Sequence, residues 1–334
     1  MKLARLGTPV GLDRLDVVEA DPPTPEAGEV LVRIRACSLN AHDDMVVRGI
    51  IPSAAGRVPL TDGAGDVVAV GAGVDALEVG DSVVSTFWPY WLGGDMTPAT
   101  RREIPGETID GYARDYACVP AHFFTKAPAG FTPAQAASLP CAGVTAWRAL
   151  VVCGRVKPGD TVLVQGTGGV SLFALQFAKA AGARVIATSS SDEKLEKLVH
   201  LGADAAINYK AVPDWGLDAK KLTDGRGVDH VMEVGGPDTL TQSIAACRTG
   251  GHIAIIGLLT GVAAQVSLPA LFSNQIRLSG ISIGSHADQE DMIRAITVNR
   301  LKPVIDRRFP LQDIRAAFEH YGSRKHFGKV CVEL

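Results

Sequence analysis

The first stretch whose residue types are capable of chemistry is ACSLNAHDD, Ala36 to Asp44. It places a cysteine, an asparagine, a histidine and two aspartates close together. Thiolate, imidazole and carboxylate are the usual ligands of transition metals, and imidazole also exchanges protons near neutral pH. The stretch is therefore a candidate metal site, a candidate proton relay, or the polar end of a strand, and the rest of the chain must decide among the three.

A second stretch, GDTVLVQGTGGVSLFALQFAKAAGARVIATSSS, has the pattern of a phosphate-binding turn. A predicted strand, Thr161 to Gln165, leads into a glycine turn and a helix predicted from Gly169 to Ala181, and a second strand follows. The glycines let the backbone approach a pyrophosphate, which the free amides and positive end of the helix stabilise. Ser171 holds the third glycine position of GxGxxG and is small enough for close packing. The alternative is a turn without a ligand. The predicted dinucleotide contacts are Gly166, Thr167, Gly168, Gly169 and Val170.

The end of the second strand indicates which dinucleotide binds. An NAD site places an Asp or Glu about 20 residues after the first glycine, where the carboxylate binds the ribose hydroxyls. This sequence has Ser189 and Ser190 there, followed by Lys194. Hydroxyls with a cation suit a 2′-phosphate, so NADPH is favoured over NADH. The alternative is that Ser190 and Glu193 form a capping box and Lys194 is a solvated helix lysine.

The elements that position these residues change in character along the chain. From about residue 28 to 125 the sequence has short β-rich segments separated by glycines, and residues 86–112 lack periodicity, which indicates an ordered loop. After about Phe131, apolar strands alternate with helical patterns, which predicts an α/β fold with a parallel sheet and crossover helices. Helical stretches at 287–300 and 311–321 precede a terminal strand, GKVCVEL.

Composition restricts size, partners and compartment. A chain of 334 residues, 46% of them hydrophobic, is long enough for two domains. A net charge of -3 without a basic stripe argues against nucleic acid and anionic membranes as partners. The six cysteines are scattered along the chain, and the start MKLARLG lacks the apolar run of a signal peptide. No apolar run is long enough for a helix that spans a membrane. We expect a reduced, cytoplasmic protein.

Motifs along essentially the whole chain occur in a characteristic order. GDVVAVG and VGDSVV come first, PCAGVTAW precedes VKPGDTVLVQGTGGV, and LGADAAINY, LKPVIDRRFP and HFGKV follow. This order resembles the medium-chain dehydrogenase/reductase superfamily, and within it the zinc-independent branch near quinone oxidoreductases and NAD(P)-dependent alcohol dehydrogenase-like proteins. The resemblance implies a GroES-like catalytic domain at 1–125 with a C-terminal return at 287–334, and a doubly wound Rossmann domain at 126–286.

The resemblance also shows which residues stand at the zinc-ligand positions of zinc-dependent relatives. Zinc-dependent relatives use a cysteine, a histidine usually followed by glutamate, and a second cysteine, and the matching positions here are Asn40, Thr61 with Asp62, and Cys141. An amide, a hydroxyl and one thiolate make a poor zinc site. The four clustered cysteines of a structural zinc lobe are also missing from residues 86–117. No zinc is expected.

Without zinc, hydrogen-bond donors must stabilise the charge that develops during hydride transfer. Asn40 is the first candidate, because its amide can donate to a substrate oxygen near the cofactor, although it can equally cap a strand end. His42 matches the position that binds the substrate oxygen in zinc-dependent relatives and can donate a proton, or it is a structural histidine. Asp43 is expected to orient His42 or an arginine such as Arg48.

Further cofactor contacts follow from the resemblance. Thr145 matches a residue that touches the nicotinamide ring, and Tyr209 matches an aromatic near the adenosine phosphate. Gly257 and Leu258 follow a strand end where a ribose would lie, and Lys329 is expected to reach the pyrophosphate. Core packing is the alternative for Thr145 and Tyr209. The aromatic residues Phe87, Trp88 and Trp91 form either an apolar substrate wall or ordinary loop packing.

Three functions remain open from the sequence. The first is an NADPH-dependent, zinc-free reductase of a quinone, enone or related carbonyl. The second is an alcohol dehydrogenase or aldehyde reductase whose donors replace zinc, and the third is a non-catalytic dinucleotide-binding protein. The resemblance further implies a homodimer paired through the last Rossmann strand, predicted within Ile276 to Gly284.

Overall fold

The computed structural model describes residues 1–334 and divides them into two units. The first unit consists of Met1–Val144 and Ile283–Leu334, and the second of Thr145–Ser282. No helix has the length and apolar character that crossing a bilayer requires.

Fifteen strands and ten α-helices, with several short helical turns, make up the two units. The strands are β1 (Lys2–Leu6), β2 (Leu15–Glu19), β3 (Glu29–Ser38), β4 (Asp62–Val70), β5 (Ser82–Ser85), β6 (Tyr116–Pro120), β7 (Phe124–Lys126), β8 (Thr161–Gln165), β9 (Arg184–Ser189), β10 (Ala205–Asn208), β11 (Val228–Glu233), β12 (Cys247–Ile255), β13 (Arg277–Gly280), β14 (Ile305–Pro310) and β15 (Lys329–Glu333). The helices are α1 (Ala41–Val47), α2 (Pro133–Ala137), α3 (Val144–Trp147), α4 (Gly169–Ala180), α5 (Asp192–His200), α6 (Trp215–Lys221), α7 (Pro237–Ala246), α8 (Leu268–Ser273), α9 (His286–Asn299) and α10 (Ile314–Gly322).

The first unit is built on a seven-stranded sheet in the order β14-β15-β3-β4-β5-β7, with β6 also pairing with β3. Val30, Val32 and Ile34 alternate along β3 and are buried in the core, as period-two patterning predicts for a half-covered sheet. Residues 86–112 contain no helix and no strand. This unit is the predicted GroES-like domain.

The register of this sheet brings distant parts of the chain to the end of β3. Ser38, the last residue of β3, lies opposite Asp62 on β4 and Cys331 on β15. The chain then turns at Asn40 into α1, whose first turn is closed by a capping box between Asn40 and Asp43. Residues 36–44 therefore form a strand end followed by a helix start.

The second unit has a six-stranded, fully parallel sheet in the order β10-β9-β8-β11-β12-β13. Numbered within the unit, this order is 3-2-1-4-5-6, which is the doubly wound Rossmann topology. Strand β8 is buried along its whole length, as expected for a strand covered on both faces. The predicted α/β class and Rossmann sheet are confirmed.

The observed division of the chain lies elsewhere than the expected boundaries at 125/126 and 286/287. Residues 126–144 belong with the first unit, because Ala134, Ala136 and Ala137 of α2 pack against Ala36 and other residues of its sheet. A short alanine-rich helix has the same pattern on either sheet, so the sequence does not show where it packs. Strand β13, Arg277–Gly280, lies within the segment Ile276 to Gly284 that was predicted to contain the last strand of this sheet.

Candidate active site

Asn40 lies at the centre of a buried polar cluster in the first unit. Its side-chain amide donates to Asp43 Oδ2 at 3.0 Å and to Asp62 Oδ2 at 2.8 Å, and its Oδ1 accepts from Lys329 Nζ. An asparagine amide has two N–H donors, and both point to carboxylates here. Asn40 therefore has no N–H donor left for a substrate oxygen, so the predicted role as a donor to the substrate is wrong. Asn40 instead positions Asp43, Asp62 and Lys329.

Lys329 is buried within the same cluster, at 3% exposure. Its Nζ donates to the Leu39 carbonyl oxygen at 2.9 Å and lies 3.7 Å from Asp62 Oδ2. The pairing of β15 with β3 places the lysine here. The ammonium group is held by partners in the first unit, so it does not have the free reach toward a pyrophosphate that we expected.

Asp62 is the most enclosed acid of this cluster, with no exposed surface. Its carboxylate also accepts from the Ser38 hydroxyl at 3.0 Å and the Cys141 backbone N–H at 3.2 Å. Burial raises the pKa of Asp62 to about 6, and the nearby Lys329 ammonium opposes this rise. Asp62 fixes Cys141 and Lys329 relative to β4.

Asp43 stabilises the turn between β3 and α1. Its Oδ1 accepts from the Thr61 backbone N–H at 2.9 Å, and its Oδ2 accepts from the Asn40 backbone N–H at 2.9 Å. It makes no hydrogen bond to His42, and Arg48 pairs with Asp44 at 2.8 Å. The expectation that Asp43 orients His42 or Arg48 is not met, because the two Asp43 oxygens accept from Asn40 and Thr61 instead.

His42 is oriented instead by Glu107, a residue that our sequence reasoning missed. His42 Nε2 lies 2.7 Å from Glu107 Oε2, and the two side chains are 17% and 19% exposed. Burial alone would lower the pKa of His42, but the hydrogen bond to Glu107 and nearby carboxylate charges outweigh it and raise the pKa. His42 Nδ1 is buried and has no partner. No sequence pattern connects two residues so far apart.

An aromatic cluster borders this pair. Phe87, Trp88, Trp91 and Cys141 pack together, with Ile283 partly buried against them. The Phe87 ring contacts His42 edge-on, with ring centroids 5.3 Å apart. Burial raises the pKa of the Cys141 thiol well above its ordinary value, which keeps it protonated and unreactive. The aromatic side chains are buried in loop packing beside His42, and their role as an apolar substrate wall stays a prediction.

The glycine turn of the second unit has the geometry of a phosphate site. Gly166 adopts a left-handed backbone (φ 70°), which favours glycine. Gly168, at φ -75° and ψ 171°, has an ordinary conformation, and a Cβ added there would meet nothing within 4 Å. Neither strain nor packing within the chain requires this glycine. Open space before the uncapped amides of α4 therefore suits a dinucleotide pyrophosphate.

The end of β9 collects the residues expected at the adenosine side. Ser189 is buried, and its Oγ accepts from the Ser191 backbone N–H at 3.3 Å. Ser191 caps α5 by accepting from the Lys194 backbone N–H at 3.4 Å, so the alternative of a cap at Ser190 is wrong. Tyr209 is 41% exposed and donates its backbone N–H to the Ser189 carbonyl at 3.1 Å. The carboxyl ends of β9 and β10 thus bring Ser189 and Ser190 close to Tyr209 in the chain trace, and Lys194 follows in the first turn of α5.

Three further residues were expected to contact the cofactor, and the structure places them in different surroundings: Thr145, Gly257 and Leu258. Thr145 is buried, and its hydroxyl has no partner, which leaves it available to a ligand. A Cβ on Gly257 would lie 2.0 Å from the Val234 carbonyl oxygen, so packing alone explains that glycine. Leu258 is 56% exposed.

Glu233 is a second residue that the sequence reasoning missed. This fully buried carboxylate at the end of β11 accepts from the backbone N–H groups of Gly235 at 2.8 Å and Gly236 at 2.9 Å, and from Gln165 Nε2 at 2.9 Å. Glu233 therefore links the loop after β11 to Gln165, the residue that precedes Gly166. A single glutamate after an apolar strand carries no sequence signal for this role.

Known proteins resemble the chain over its whole length. Family models match for the alcohol dehydrogenase GroES-like domain at residues 26–129 and for zinc-binding dehydrogenase at residues 169–298. A zinc-type alcohol dehydrogenase-like protein of Schizosaccharomyces pombe is 42% identical, covering 97% of this chain and 96% of that protein. The chain belongs to the medium-chain dehydrogenase/reductase (MDR) superfamily.

Solved MDR structures agree with this membership. An NAD-dependent alcohol dehydrogenase is 32% identical with a TM-score of 0.92, and each chain is covered completely. A mycobacterial quinone oxidoreductase is 28% identical with a TM-score of 0.83, again with complete coverage of both chains. The protein is therefore an alcohol dehydrogenase-like oxidoreductase of an NAD(P)-dependent MDR family, which sets aside the non-catalytic alternative.

The residues of this MDR protein do not fit a catalytic zinc. No group of three or more histidine, cysteine, aspartate or glutamate residues is arranged to hold a metal ion. At the positions that correspond to zinc ligands, Asn40 accepts a hydrogen bond from the Lys329 ammonium, and Asp62 lies 3.7 Å from it. A divalent cation would be repelled by this resident positive charge.

Proposed function

We propose that the protein is a zinc-independent, NADPH-dependent reductase of a quinone, an enone or a related carbonyl compound. The observation that carries this proposal is the pairing of His42 with Glu107 beside an apolar aromatic cluster, with the unpartnered Nδ1 on the ring. A histidine held at one nitrogen and unpaired at the other is arranged as a proton donor.

His42 performs the proton step in this proposal. With Nε2 held by Glu107, the imidazolium carries its second proton on Nδ1. Nδ1–H donates to the substrate oxygen, and the proton moves to that oxygen as the carbonyl carbon or conjugated carbon receives hydride. A bound reduced nicotinamide supplies the hydride. Neutral imidazole remains and regains its proton from solvent. Phe87 and Trp88 exclude water from the substrate.

The second unit supplies the cofactor contacts. The α4 amides and Gly168 would hold the pyrophosphate, and Thr145 would offer its free hydroxyl to the nicotinamide half. The preference for NADPH rests on Ser189 and Ser190 at a strand end without a carboxylate, followed by Lys194. We also propose a cytoplasmic homodimer, in keeping with the six free cysteines and with an unpaired outer edge at β13.

An activity panel tests the proposal. Purified protein is given NADPH or NADH together with a benzoquinone, a cyclic enone or an aromatic aldehyde, and consumption of the reduced cofactor is followed by absorbance. We expect consumption of NADPH with the quinone or the enone. Turnover of none of these acceptors, or turnover with NADH alone, would contradict the proposal.

The second candidate function is an alcohol dehydrogenase or aldehyde reductase, which the names of the similar proteins favour. In the same panel it predicts turnover of the aldehyde and oxidation of the matching alcohol, with little activity on the quinone. The two candidates use the same cofactor and the same proton donor, so only the ranking of the acceptors separates them.

The cofactor preference has its own test. Lys194→Ala should weaken NADPH binding about tenfold, or about 1.4 kcal/mol, and should leave NADH binding unchanged. Lys197→Ala, one turn later on α5, is the matched control and should change neither affinity. Equal losses for both dinucleotides would show that Lys194 does not contact a 2′-phosphate.

A further inference from the structure

Arg114 is a charged residue that the proposed mechanism does not use and whose guanidinium has no hydrogen-bonded partner in the chain. Its Nε is buried without a hydrogen bond, and its guanidinium forms no salt bridge and no hydrogen bond. Burial lowers the pKa of Arg114, and the charge of the nearby Asp110 carboxylate opposes this fall. Arg114 is only half-buried, but a guanidinium there without a hydrogen-bonded carboxylate is incompletely compensated. Such a group is expected where a ligand supplies the missing anion.

The Arg114 side chain lines a cavity of about 340 Å³ in the first unit. The opposite walls are apolar and aromatic, with Tyr90, Phe123, Ile109 and Val119 among the lining residues. A volume of this size lies within the range of small-molecule sites, which combine apolar walls with few polar anchors. The residues of the proposed proton relay, His42 and Glu107, do not line the cavity.

Two acids also line the cavity, and each is already engaged. Asp110 Oδ1 accepts from the Val58 backbone N–H at 3.1 Å and from Arg57 Nη1 at 3.4 Å. Glu103 is hydrogen-bonded to Tyr90, which contributes to the raised pKa of that phenol after the larger effect of burial. Neither carboxylate forms a salt bridge with Arg114. The charge of Asp110 acts on Arg114 from a distance, and the guanidinium N–H groups keep no carboxylate partner within hydrogen-bond reach.

We propose that this cavity is a second small-molecule site, which binds an organic carboxylate. The carboxylate accepts two parallel hydrogen bonds from the Arg114 guanidinium, whose planar fork matches it. The apolar body of the ligand packs on Phe123, Ile109 and Val119, because the Arg102 guanidinium already lies 3.9 Å from the centre of the Tyr90 ring. Glu107 lies on the chain between Glu103 and Ile109, so the ligand contacts the loop that carries the partner of His42.

Isothermal titration with sodium benzoate tests this site, because benzoate has one carboxylate on a flat apolar ring. The wild type should bind one benzoate per chain, and Arg114→Met should bind at least tenfold more weakly. Glu103→Gln should bind more tightly than the wild type, because a like charge is removed. Benzylamine, the cationic analogue, should not bind.

Two controls separate this site from the active site. His42→Ala should keep the wild-type affinity for benzoate, whatever its effect on reduction, so failure of the proposed function leaves this test intact. Arg114→Gln is a second variant in case Arg114→Met does not fold, as judged by circular dichroism. No saturable binding of benzoate by the wild type would overturn the proposal. Equal affinity of the wild type and a folded Arg114 variant, or loss of binding in His42→Ala, would also overturn it.

Discussion

At the scale of single residues, the cluster at the end of β3 shows how much chemistry depends on partners. Asn40 and Asp43 were predictable as polar residues of a site, but their hydrogen bonds assign them to positioning. Asn40 is engaged by Asp43, Asp62 and Lys329, and the Asp43 carboxylate accepts from Asn40 and Thr61. Glu107 was not predictable, since its contact with His42 joins residues 65 positions apart through loop geometry. Residue types indicate the candidates, and tertiary contacts decide their roles.

Glu107→Gln tests the proton relay. If protonated His42 is the acid, kcat/KM falls as the pH rises through the pKa of His42, which Glu107 holds above its ordinary value. Removing the Glu107 charge should move this fall to lower pH, and His42→Ala should reduce kcat/KM about 100-fold. The pH profile of kcat/KM provides the measurement. Glu319→Gln, an exposed glutamate in the same unit, is the control and should leave the profile unchanged. An unmoved profile in Glu107→Gln would refute the relay.

Lys329→Met tests the buried charge cluster. Without the ammonium, Asp62 would remain a fully buried acid beside Asp43, so the free energy of unfolding should fall by about 3–5 kcal/mol. Urea denaturation measures this change, and Asp62→Asn in the same chain should restore part of it. Lys325→Met, an exposed lysine, should have little effect. A loss below about 1 kcal/mol for Lys329→Met would show that the lysine is not a structural counter-ion.

At the scale of elements, the βαβ unit was the most predictable part of the chain. Strand β8 coincides with its predicted range and helix α4 ends one residue before its predicted end, because buried strands and amphipathic helices follow local periodicity. Helix α2 was assigned to the other unit, since its alanines give no information about their partner sheet. The cap of α5 was misplaced by one residue because consecutive serines offer equivalent hydroxyls. Local pattern determines elements, and packing determines where they belong.

The glycine turn gives a prediction at this scale. Gly168→Ala places a methyl group in open space at an ordinary φ, so the free energy of unfolding should stay the same or rise by about 0.4–1 kcal/mol. NADPH affinity should fall at least tenfold, because the methyl group occupies the proposed path of the pyrophosphate. Gly166→Ala is the contrasting variant and should lose about 1 kcal/mol of stability at its positive φ. Unchanged NADPH binding in Gly168→Ala would rule out this site for the pyrophosphate.

At the scale of the whole molecule, the fold class was predictable because the order of motifs extends over the entire chain. The association state depends on surfaces for which the sequence offers only the resemblance. Strand β13 ends the parallel sheet with an unpaired edge, Leu278 on it is 37% exposed, and Phe272 on the preceding helix α8 is 70% exposed. An open edge with apolar neighbours is suited to pairing with a second copy.

Leu278→Asp tests this association. Sedimentation at micromolar concentration should show a dimer for the wild type and mainly monomer for the variant, because a charge at a paired edge would be desolvated. Val298→Asp, at an 80% exposed position in the first unit, is the matched control and should remain dimeric. A wild-type monomer would contradict the proposed dimer.

The central claim is carbonyl reduction without a metal, and chelation tests it most directly. The protein is stripped with a strong chelator, its metal content is measured by plasma mass spectrometry, and NADPH-dependent quinone or enone reduction is assayed before and after stripping. The account predicts unchanged kcat/KM at a zinc content far below one per chain, because Lys329 already supplies the positive charge beside Asn40 and Asp62. Activity that disappears on stripping and returns with added zinc would contradict it.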